Sequence, residues 1–175
     1  IQVGAKIVIS NDTIIQKKFW DTFKKNKVTS FNGVPYLYEI LLKVGIKKIF
    51  NKNLRYITQA GGRLDFNIKK ELLHISKKKK VDFYSMYGQT ETSPRISYIK
   101  NNDLLLKKNS IGKPISGVKM IIKDYLNRKL KPYESGLIFC KGKNIMLGYS
   151  KSYRDLNKSR QIKELNTGDI GYYDN

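Results

Sequence analysis

The sequence predicts an α/β fold, a parallel, doubly wound sheet with a smaller β-rich, barrel-like subdomain. Over the first hundred residues, short runs rich in β-branched and aromatic residues alternate with amphipathic helical patterns, the order typical of a parallel sheet. After Ser97, apolar runs are separated by Gly, Pro and Asn turns, and little helical pattern remains. We therefore assign residues 1–100 to the α/β part and residues 101–175 to the β-rich part.

Two strand–helix pairs are predicted before residue 50. AKIVIS, residues 5–10, has the composition of a strand, and Asn11 or Asp12 can cap the amphipathic helix that follows it. VTSF, residues 28–31, is predicted as the second strand. The next helix should span PYLYEILLKVG, residues 35–45, because proline favours a helix start and glycine a helix end.

Two further strands are predicted around a third helix. LRYIT, residues 54–58, and VDFYSMY, residues 81–87, have strand composition, and Asn67 can cap the amphipathic helix between them. The four lysines at 77–80 follow this helix, and we interpret them as its solvated end because cations are favoured there. His74, the single histidine, has no nucleophile or second ligand nearby in the sequence and is expected to be structural.

The β-rich part contains three predicted strands, VKMIIKD, GLIFCKG and DIGYYD, and one predicted helix near residues 152–163. Cys140 lies within the second of these strands. Because it is the only cysteine of the chain, it cannot form an internal disulfide or share a metal with a second thiolate. We expect it to be a buried strand residue.

The net charge of +21 raises the question of a phosphate-rich partner such as nucleic acid. Composition offers a different explanation, because Lys, Asn, Ile and Tyr, which AT-rich codons encode, make up 76 of the 175 residues. Arginine, the residue that most often reads guanine, accounts for only 6 of the 35 cationic residues. We therefore expect no nucleic-acid partner, and a basic nucleic-acid-binding α/β module remains the alternative function.

No apolar run approaches the roughly 18 residues that a membrane-spanning helix needs, and no basic-then-apolar leader is visible. We therefore expect no membrane association and a cytoplasmic location. The chain opens on Ile1 rather than Met, and we expect it to be a piece of a longer protein.

An aromatic ring ends the fourth predicted strand at Tyr87, and a hydroxyl and a carboxylate follow it at Thr90 and Glu91. These groups suit the stacking of a base, a phosphate oxygen and a magnesium ion, respectively. The pair Gly61–Gly62 follows the third strand and lets the backbone approach a flat ligand. Because ligands bind beyond the carboxyl ends of parallel strands, we expect both turns to face one cleft.

Three further motifs follow YGQTE in order, namely SIGKPISGVKM, GLIFCKGKNIMLGY and LNTGDIGYYD. With these motifs the whole chain resembles the adenylate-forming (AMP-binding) superfamily, which includes acyl-CoA synthetases and acyl-carrier-protein ligases. The resemblance implies that both predicted parts belong to one AMP-binding domain. It also implies an enzyme that activates a carboxylic acid with ATP to an acyl-adenylate and passes the acyl group to CoA or to the phosphopantetheine of an acyl carrier protein.

The resemblance implies residue roles as well. Thr90 and Glu91 would be catalytic, with Thr90 on the α-phosphate and Glu91 holding Mg²⁺. Contacts to the adenylate are implied for Gly61, Gly62, Tyr87, Gly88, Thr90 and Asp169. The tyrosine would stack on adenine, and the aspartate would accept hydrogen bonds from the ribose hydroxyls. An acyl pocket is implied at Gly33, Ala60, Met86, Gly88 and Pro94.

The family's phosphate-binding loop should lie before Ile1, and its lysine-bearing lid beyond Asn175. The isolated chain is therefore expected to bind an adenylate without turnover. A catalytically silent AMP-binding relative is the other alternative, and the intact YGQTE and TGD motifs favour the enzyme.

Overall fold

The computed structural model describes residues 4–46, 49–101, 103–157 and 162–174. The chain divides into two compact units. Unit 1 comprises Ile1–Ser85 and Ile99–Ser110, and unit 2 comprises Met86–Tyr98 and Ile111–Asn175. The division at residue 100 that the sequence suggested stays a prediction.

Unit 1 is built on parallel strands separated by helices, as predicted. Its elements are α1 (Lys17–Lys25), β1 (Ser30–Gly33), α2 (Pro35–Val44), β2 (Tyr56–Gln59), α3 (Phe66–Lys79), β3 (Asp82–Tyr87, which continues into unit 2), β4 (Ser97–Lys100, which enters from unit 2) and α4 (Asp103–Leu106). β1 pairs in parallel with β2, and β2 with β3. With β5 (Lys113–Pro114), the strands form one sheet in the order β1-β2-β3-β4-β5.

The ends of α2 and α3 follow from local sequence. Pro35 occupies the first turn of α2, and Gly45 ends it in the left-handed region at φ 104°, as predicted. α3 is capped by Asp65, whose carboxylate accepts hydrogen bonds from the backbone amides of Asn67 and Ile68. The predicted cap at Asn67 is wrong, because Asp65 supplies the carboxylate one residue before the helix begins. Lys80 follows the helix end, which confirms the interpretation of the lysine run.

The predicted first strand is absent. Residues 5–10 have no regular structure, and the side chains of Ile7 and Ile9 are largely exposed. Within the described ranges no strand pairs with this run. Without a partner strand, the backbone N–H and C=O groups of the run have no ladder hydrogen bonds, whatever its composition. The predicted caps at Asn11 and Asp12 are also wrong, because α1 begins at Lys17.

An aromatic cluster forms the centre of unit 1. The rings of Trp20, Phe23, Phe31, Tyr38 and Phe83 follow one another at centroid separations of 5.6 to 6.4 Å. The fully buried Tyr38 donates its hydroxyl to the Thr58 carbonyl at 2.7 Å, and burial raises the pKa of that hydroxyl well above its usual value. This cluster joins α1, β1, α2 and β3 within the core of unit 1.

Unit 2 contains a separate antiparallel sheet of three strands, β6 (Val118–Lys123), β7 (Gly136–Gly142) and β8 (Leu165–Gly171). Cys140 of β7 is fully buried, as predicted. Together with the parallel strands of unit 1, this sheet confirms the predicted fold class.

Two elements of unit 2 differ from the sequence prediction. β8 begins at Leu165, four residues before the predicted DIGYYD strand, and ends at Gly171. In place of the helix predicted for residues 152–163, the structure has a 3₁₀ turn over Tyr153–Asn157, and residues 158–161 lie outside the described residues. In the four described segments, no helix has the length and apolar character needed to cross a bilayer.

Candidate nucleotide-binding site

The YGQTE segment makes a tight reversal at the end of β3, within unit 2. The amide of Ile96 donates to the carbonyl of Tyr87 at 2.9 Å, so the chain returns beside the strand it has left. A Cβ atom on Gly88 would overlap the carbonyl of Pro94 and lie 2.8 Å from the Arg95 Cα atom. Glycine is therefore required at position 88 for backbone to pass backbone.

A single 3₁₀ turn, Thr90–Thr92, presents the two predicted catalytic residues. The fully buried Thr92 donates its hydroxyl to the Gln89 carbonyl at 2.8 Å and accepts from the Gln89 amide at 3.3 Å. Of the two threonines, one is thus used to close the turn. The other, Thr90, is exposed, and the half-buried Glu91 follows it in the chain.

Asn144 holds this turn from the segment that follows β7. Its Nδ2 donates to the carbonyls of Thr92 at 2.8 Å and Arg95 at 2.7 Å, and the amide of Met146 donates to the Glu91 carbonyl at 2.8 Å. Sequence analysis did not identify Asn144 as a site residue. The sequence feature that could have indicated it is an asparagine between Gly142 and Gly148, because an asparagine side chain in a turn often bonds to nearby backbone groups.

Glu91 accepts a 2.6 Å hydrogen bond on Oε1 from the hydroxyl of Tyr149. This bond lowers the pKa of the Glu91 carboxyl and raises the pKa of the tyrosine hydroxyl. Glu91 is therefore ionised at neutral pH. No cluster of three or more metal-ligating side chains occurs among the residues described. A single carboxylate nevertheless fits Mg²⁺, which commonly binds through one or two carboxylates together with substrate phosphates.

Tyr87 and Asp169, which are 82 positions apart in the chain, are joined by a hydrogen bond. The tyrosine hydroxyl donates to Oδ2 of the aspartate at 2.6 Å. Burial of the phenol and, secondarily, its bond to the carboxylate raise the pKa of Tyr87 far above the ordinary value. The hydroxyl therefore remains a donor at physiological pH. The structure brings these two predicted site residues together.

A bulge in β8 places Asp169. Leu137 of β7 pairs with Ile170 and Phe139 pairs with Asn166, so the one residue between them on β7, Ile138, faces three residues of β8. Those three residues are the TGD motif, Thr167–Asp169. The Thr167 hydroxyl donates to the Ile138 carbonyl at 2.9 Å, which satisfies a group that the bulge leaves outside the ladder.

Local hydrogen bonds stabilise this bulge. Gly168 has φ +80° and its amide donates to the Asn166 side chain at 3.0 Å, while the Asp169 amide donates to the Thr167 hydroxyl at 3.2 Å. Asparagine, threonine and glycine are residue types that favour such turns. The residues of the NTGD sequence thus stabilise the bulge in which Asp169 lies.

The Gly61–Gly62 turn belongs to unit 1 and is held by a buried glutamine. Gln59, the last residue of β2, donates from Nε2 to the Gly62 carbonyl at 2.7 Å and accepts on Oε1 from the Ser85 hydroxyl at 2.9 Å. Gly61 is in the left-handed region at φ +79°, which suits glycine. Sequence analysis did not identify Gln59. The feature that could have indicated its role is a polar residue at the end of a predicted strand, directly before the glycine turn.

The five residues predicted for the acyl pocket fall into two groups. In unit 1, the Ala60 amide donates to the Gly33 carbonyl at 3.1 Å, and a Cβ on Gly33 would lie only 2.7 Å from the ring of Tyr38. In unit 2, the remaining three are Met86, Gly88 and Pro94. The role of these residues in an acyl pocket stays a prediction.

Comparison with known proteins identifies the family. A family model described as AMP-binding enzyme matches residues 1–150 of the 175. The chain belongs to this AMP-binding enzyme family. The match covers the YGQTE segment, the predicted acyl-pocket residues and the Asn144 segment, and the resemblance that the sequence motifs suggested is confirmed.

Curated relatives of this AMP-binding chain include CoA ligases. The chain is 37% identical over 149 residues to 2-succinylbenzoate–CoA ligase of Geobacillus sp. (strain WCH70), an alignment that covers 85% of this chain and 29% of the relative. It is 32% identical over 139 residues to a ligase of the same name from Bacillus cereus, covering 79% of this chain and 27% of the relative. The AMP-binding chain thus spans less than a third of the length of these two relatives.

Solved structures agree with the sequence relatives. An o-succinylbenzoate CoA synthetase from Bacillus subtilis, in complex with ATP and magnesium ion, matches with a TM-score of 0.71 and 27% identity, over 90% of this chain and 32% of that chain. The same synthetase in complex with the acyl-adenylate intermediate matches with a TM-score of 0.71 and 27% identity, over 90% of this chain and 31% of that chain.

Proposed function

We propose that the protein containing this chain is an AMP-forming acid–thiol ligase. In the first step, a carboxylate oxygen of the acid attacks the α-phosphorus of ATP, and pyrophosphate leaves with the electrons of the broken P–O bond. In the second step, a thiolate attacks the acyl carbon of the adenylate, and AMP leaves. Membership of the AMP-binding family and the CoA ligase names of the relatives support this reaction class.

One observation carries the proposal at the level of residues. Thr90 is exposed in the 3₁₀ turn, and the Glu91 carboxylate is ionised, while Thr92, Asn144 and Met146 make the hydrogen bonds that hold the turn. A turn that is anchored from behind in this way keeps the backbone of Thr90 and Glu91 in a defined position, which favours the positioning that transition-state binding requires.

Each predicted site residue has a role in this proposal. Thr90 donates its hydroxyl to an α-phosphate oxygen, and Glu91 holds Mg²⁺, which when bound neutralises phosphate charge and orients the leaving group. Tyr87 stacks on adenine, Asp169 accepts from the ribose hydroxyls, and the Gly61–Gly62 turn lines the edge of the base. Gly88 allows the adenylate to approach the backbone.

We propose 2-succinylbenzoate as the acid and CoA as the thiol acceptor, on the names of the curated relatives. The acyl group would lie against Gly33, Ala60, Met86, Gly88 and Pro94. A phosphopantetheine-bearing carrier protein is the competing acceptor that the sequence left open. A protein of this activity meets its substrates ATP and CoA in the cytoplasm, where we place it.

The proposed reaction predicts carboxylic-acid-dependent exchange of labelled pyrophosphate into ATP by the full-length protein. We expect exchange with 2-succinylbenzoate and Mg²⁺, and none without the acid. Adding CoA should then yield the thioester and AMP in equal amounts. Exchange with another acid but not with this one would contradict the substrate proposal alone. A well-folded protein that shows no exchange across a broad panel of aromatic and aliphatic acids would favour the catalytically silent alternative.

If the protein were instead a nucleic-acid-binding module, the lysine run Lys77–Lys80 would contribute to the binding of DNA or RNA. These residues are exposed at the end of α3. Under our proposal, changing all four to glutamine leaves the affinity for AMP within about threefold, well below the tenfold change that 1.4 kcal/mol produces. Calorimetric titration of both proteins with AMP measures this. A tight, salt-dependent complex with DNA or RNA that the variant loses would instead support the alternative.

A further inference from the structure

The hydroxyl of Tyr87 donates to Asp169, and both residues are assigned to AMP in the proposed function. The stacking role given to Tyr87 needs only its ring, which phenylalanine would supply equally well. The hydroxyl therefore calls for a separate explanation. Its 2.6 Å bond to the aspartate joins the end of β3 to the bulge of β8.

The ring of Tyr87 is held firmly by unit 2. It packs against the buried cluster of Ile96, Cys140 and Leu165, and the backbone carbonyl of Tyr87 accepts from the Ile96 amide at 2.9 Å. Packing restrains the ring, and the backbone hydrogen bond restrains the main chain that carries it. The Tyr87 hydroxyl therefore has a defined position. The donor is therefore more constrained than the carboxylate it reaches.

Asp169, by contrast, is exposed. Its backbone is defined by the bulge, but an exposed aspartate side chain retains rotamer freedom unless a partner holds it. The Tyr87 hydroxyl occupies one of the roughly four lone-pair positions of the carboxylate and leaves the others available. The hydrogen bond to Oδ2 restricts the orientation of the Asp169 carboxylate, and Oδ1 takes no part in it.

We propose that the Tyr87 hydroxyl is a positioning group that aims Asp169 at the ribose and so makes the site select nucleotides that carry sugar hydroxyls. The inference rests on the proposed function and extends it to sugar specificity. Two adjacent hydroxyls can bond one carboxylate only when its plane is correctly oriented. Without the tyrosine hydroxyl, the sugar would have to order the carboxylate itself, and this cost falls only on nucleotides with those hydroxyls.

The test compares binding of AMP and 2′,3′-dideoxy-AMP by calorimetry, with the full-length protein. Tyr87→Phe keeps the ring and removes the hydroxyl, so we expect AMP to bind about fivefold more weakly, the loss typical of one net hydrogen bond, and dideoxy-AMP to change by less than about twofold. Asp169→Asn should reduce the preference for AMP as well. The double variant should bind AMP no more weakly than Asp169→Asn, because the two groups act as one unit.

Tyr125→Phe is the matched control, because Tyr125 is an exposed tyrosine of the same unit with no role in the site. It should leave both affinities unchanged. An equal loss for the two nucleotides in Tyr87→Phe, or no loss for either, would overturn the sugar-selection role while leaving the proposed function standing. A folded wild-type protein that binds neither nucleotide would overturn both proposals.

Discussion

Glu91→Gln is expected to slow acid-dependent pyrophosphate exchange about a hundredfold in the full-length protein, the loss typical of removing one preorganised electrostatic contact from a transition state. Glutamine keeps the shape of the side chain, and its carbonyl oxygen can still accept the Tyr149 hydroxyl that Oε1 now accepts. What the variant loses is the negative charge. The melting temperature should stay close to that of the wild-type protein, because the side chain lies outside the core of unit 2.

Magnesium dependence separates the proposed role from a general loss of activity. The variant should need a higher Mg²⁺ concentration for half-maximal exchange, and binding of Mn²⁺ in the presence of ATP, followed by electron paramagnetic resonance, should weaken in parallel. Glu71→Gln, an exposed carboxylate on α3, is the matched control and should keep the wild-type rate. Full exchange by Glu91→Gln at low Mg²⁺ would show that the metal assignment is wrong.

Gly88→Ala is expected to destabilise the protein by about 3 kcal/mol, the upper range for forcing an added methyl into a closed space. The new Cβ would meet the Pro94 carbonyl and the Arg95 Cα atom, which are backbone and cannot rotate away. Asn144 holds the Arg95 carbonyl at 2.7 Å, so moving the Pro94–Arg95 segment outward would break that bond as well. Urea unfolding measures the change, and AMP binding should weaken because Tyr87 and Thr90 flank the glycine.

Gly117→Ala is the control for this steric argument. Gly117 belongs to the same unit and has φ +80°, but a Cβ there would have no atom within 4 Å. Gly117→Ala should therefore lower the free energy of unfolding only by the cost of an alanine in the left-handed region, about 1 kcal/mol. If Gly88→Ala costs no more than Gly117→Ala, the close approach at Gly88 does not limit stability.

Several elements were predictable because their causes are local in the chain. The proline and glycine at the ends of α2 act on their own backbone, and the alternation of apolar runs with amphipathic helices determines the fold class. The failure at residues 5–10 has the opposite cause. A strand exists only where a partner strand is available, and the local composition of AKIVIS contains no information about a partner.

The cap of α3 shows how similar two candidate capping residues can be in the sequence. Asp65 and Asn67 are both good capping residues, two positions apart, and propensity alone does not choose between them. The choice depends on where the chain leaves the Gly61–Gly62 turn, because the cap must precede the first helical residue, Phe66. An element boundary is thus set by the path of the preceding loop.

The sequence alone was sufficient for the family and the fold class, because four ordered motifs carry the resemblance to the family. The roles of the individual motif residues stay a prediction. The supports of those residues could be known only from the folded chain. Tyr87 meets Asp169 through a bulge in β8, and Asn144 holds the carbonyl of Thr92 from 52 positions away. Such contacts depend on strand register and on close approach of backbone segments, and both are properties of the packed chain that no local pattern of residues encodes.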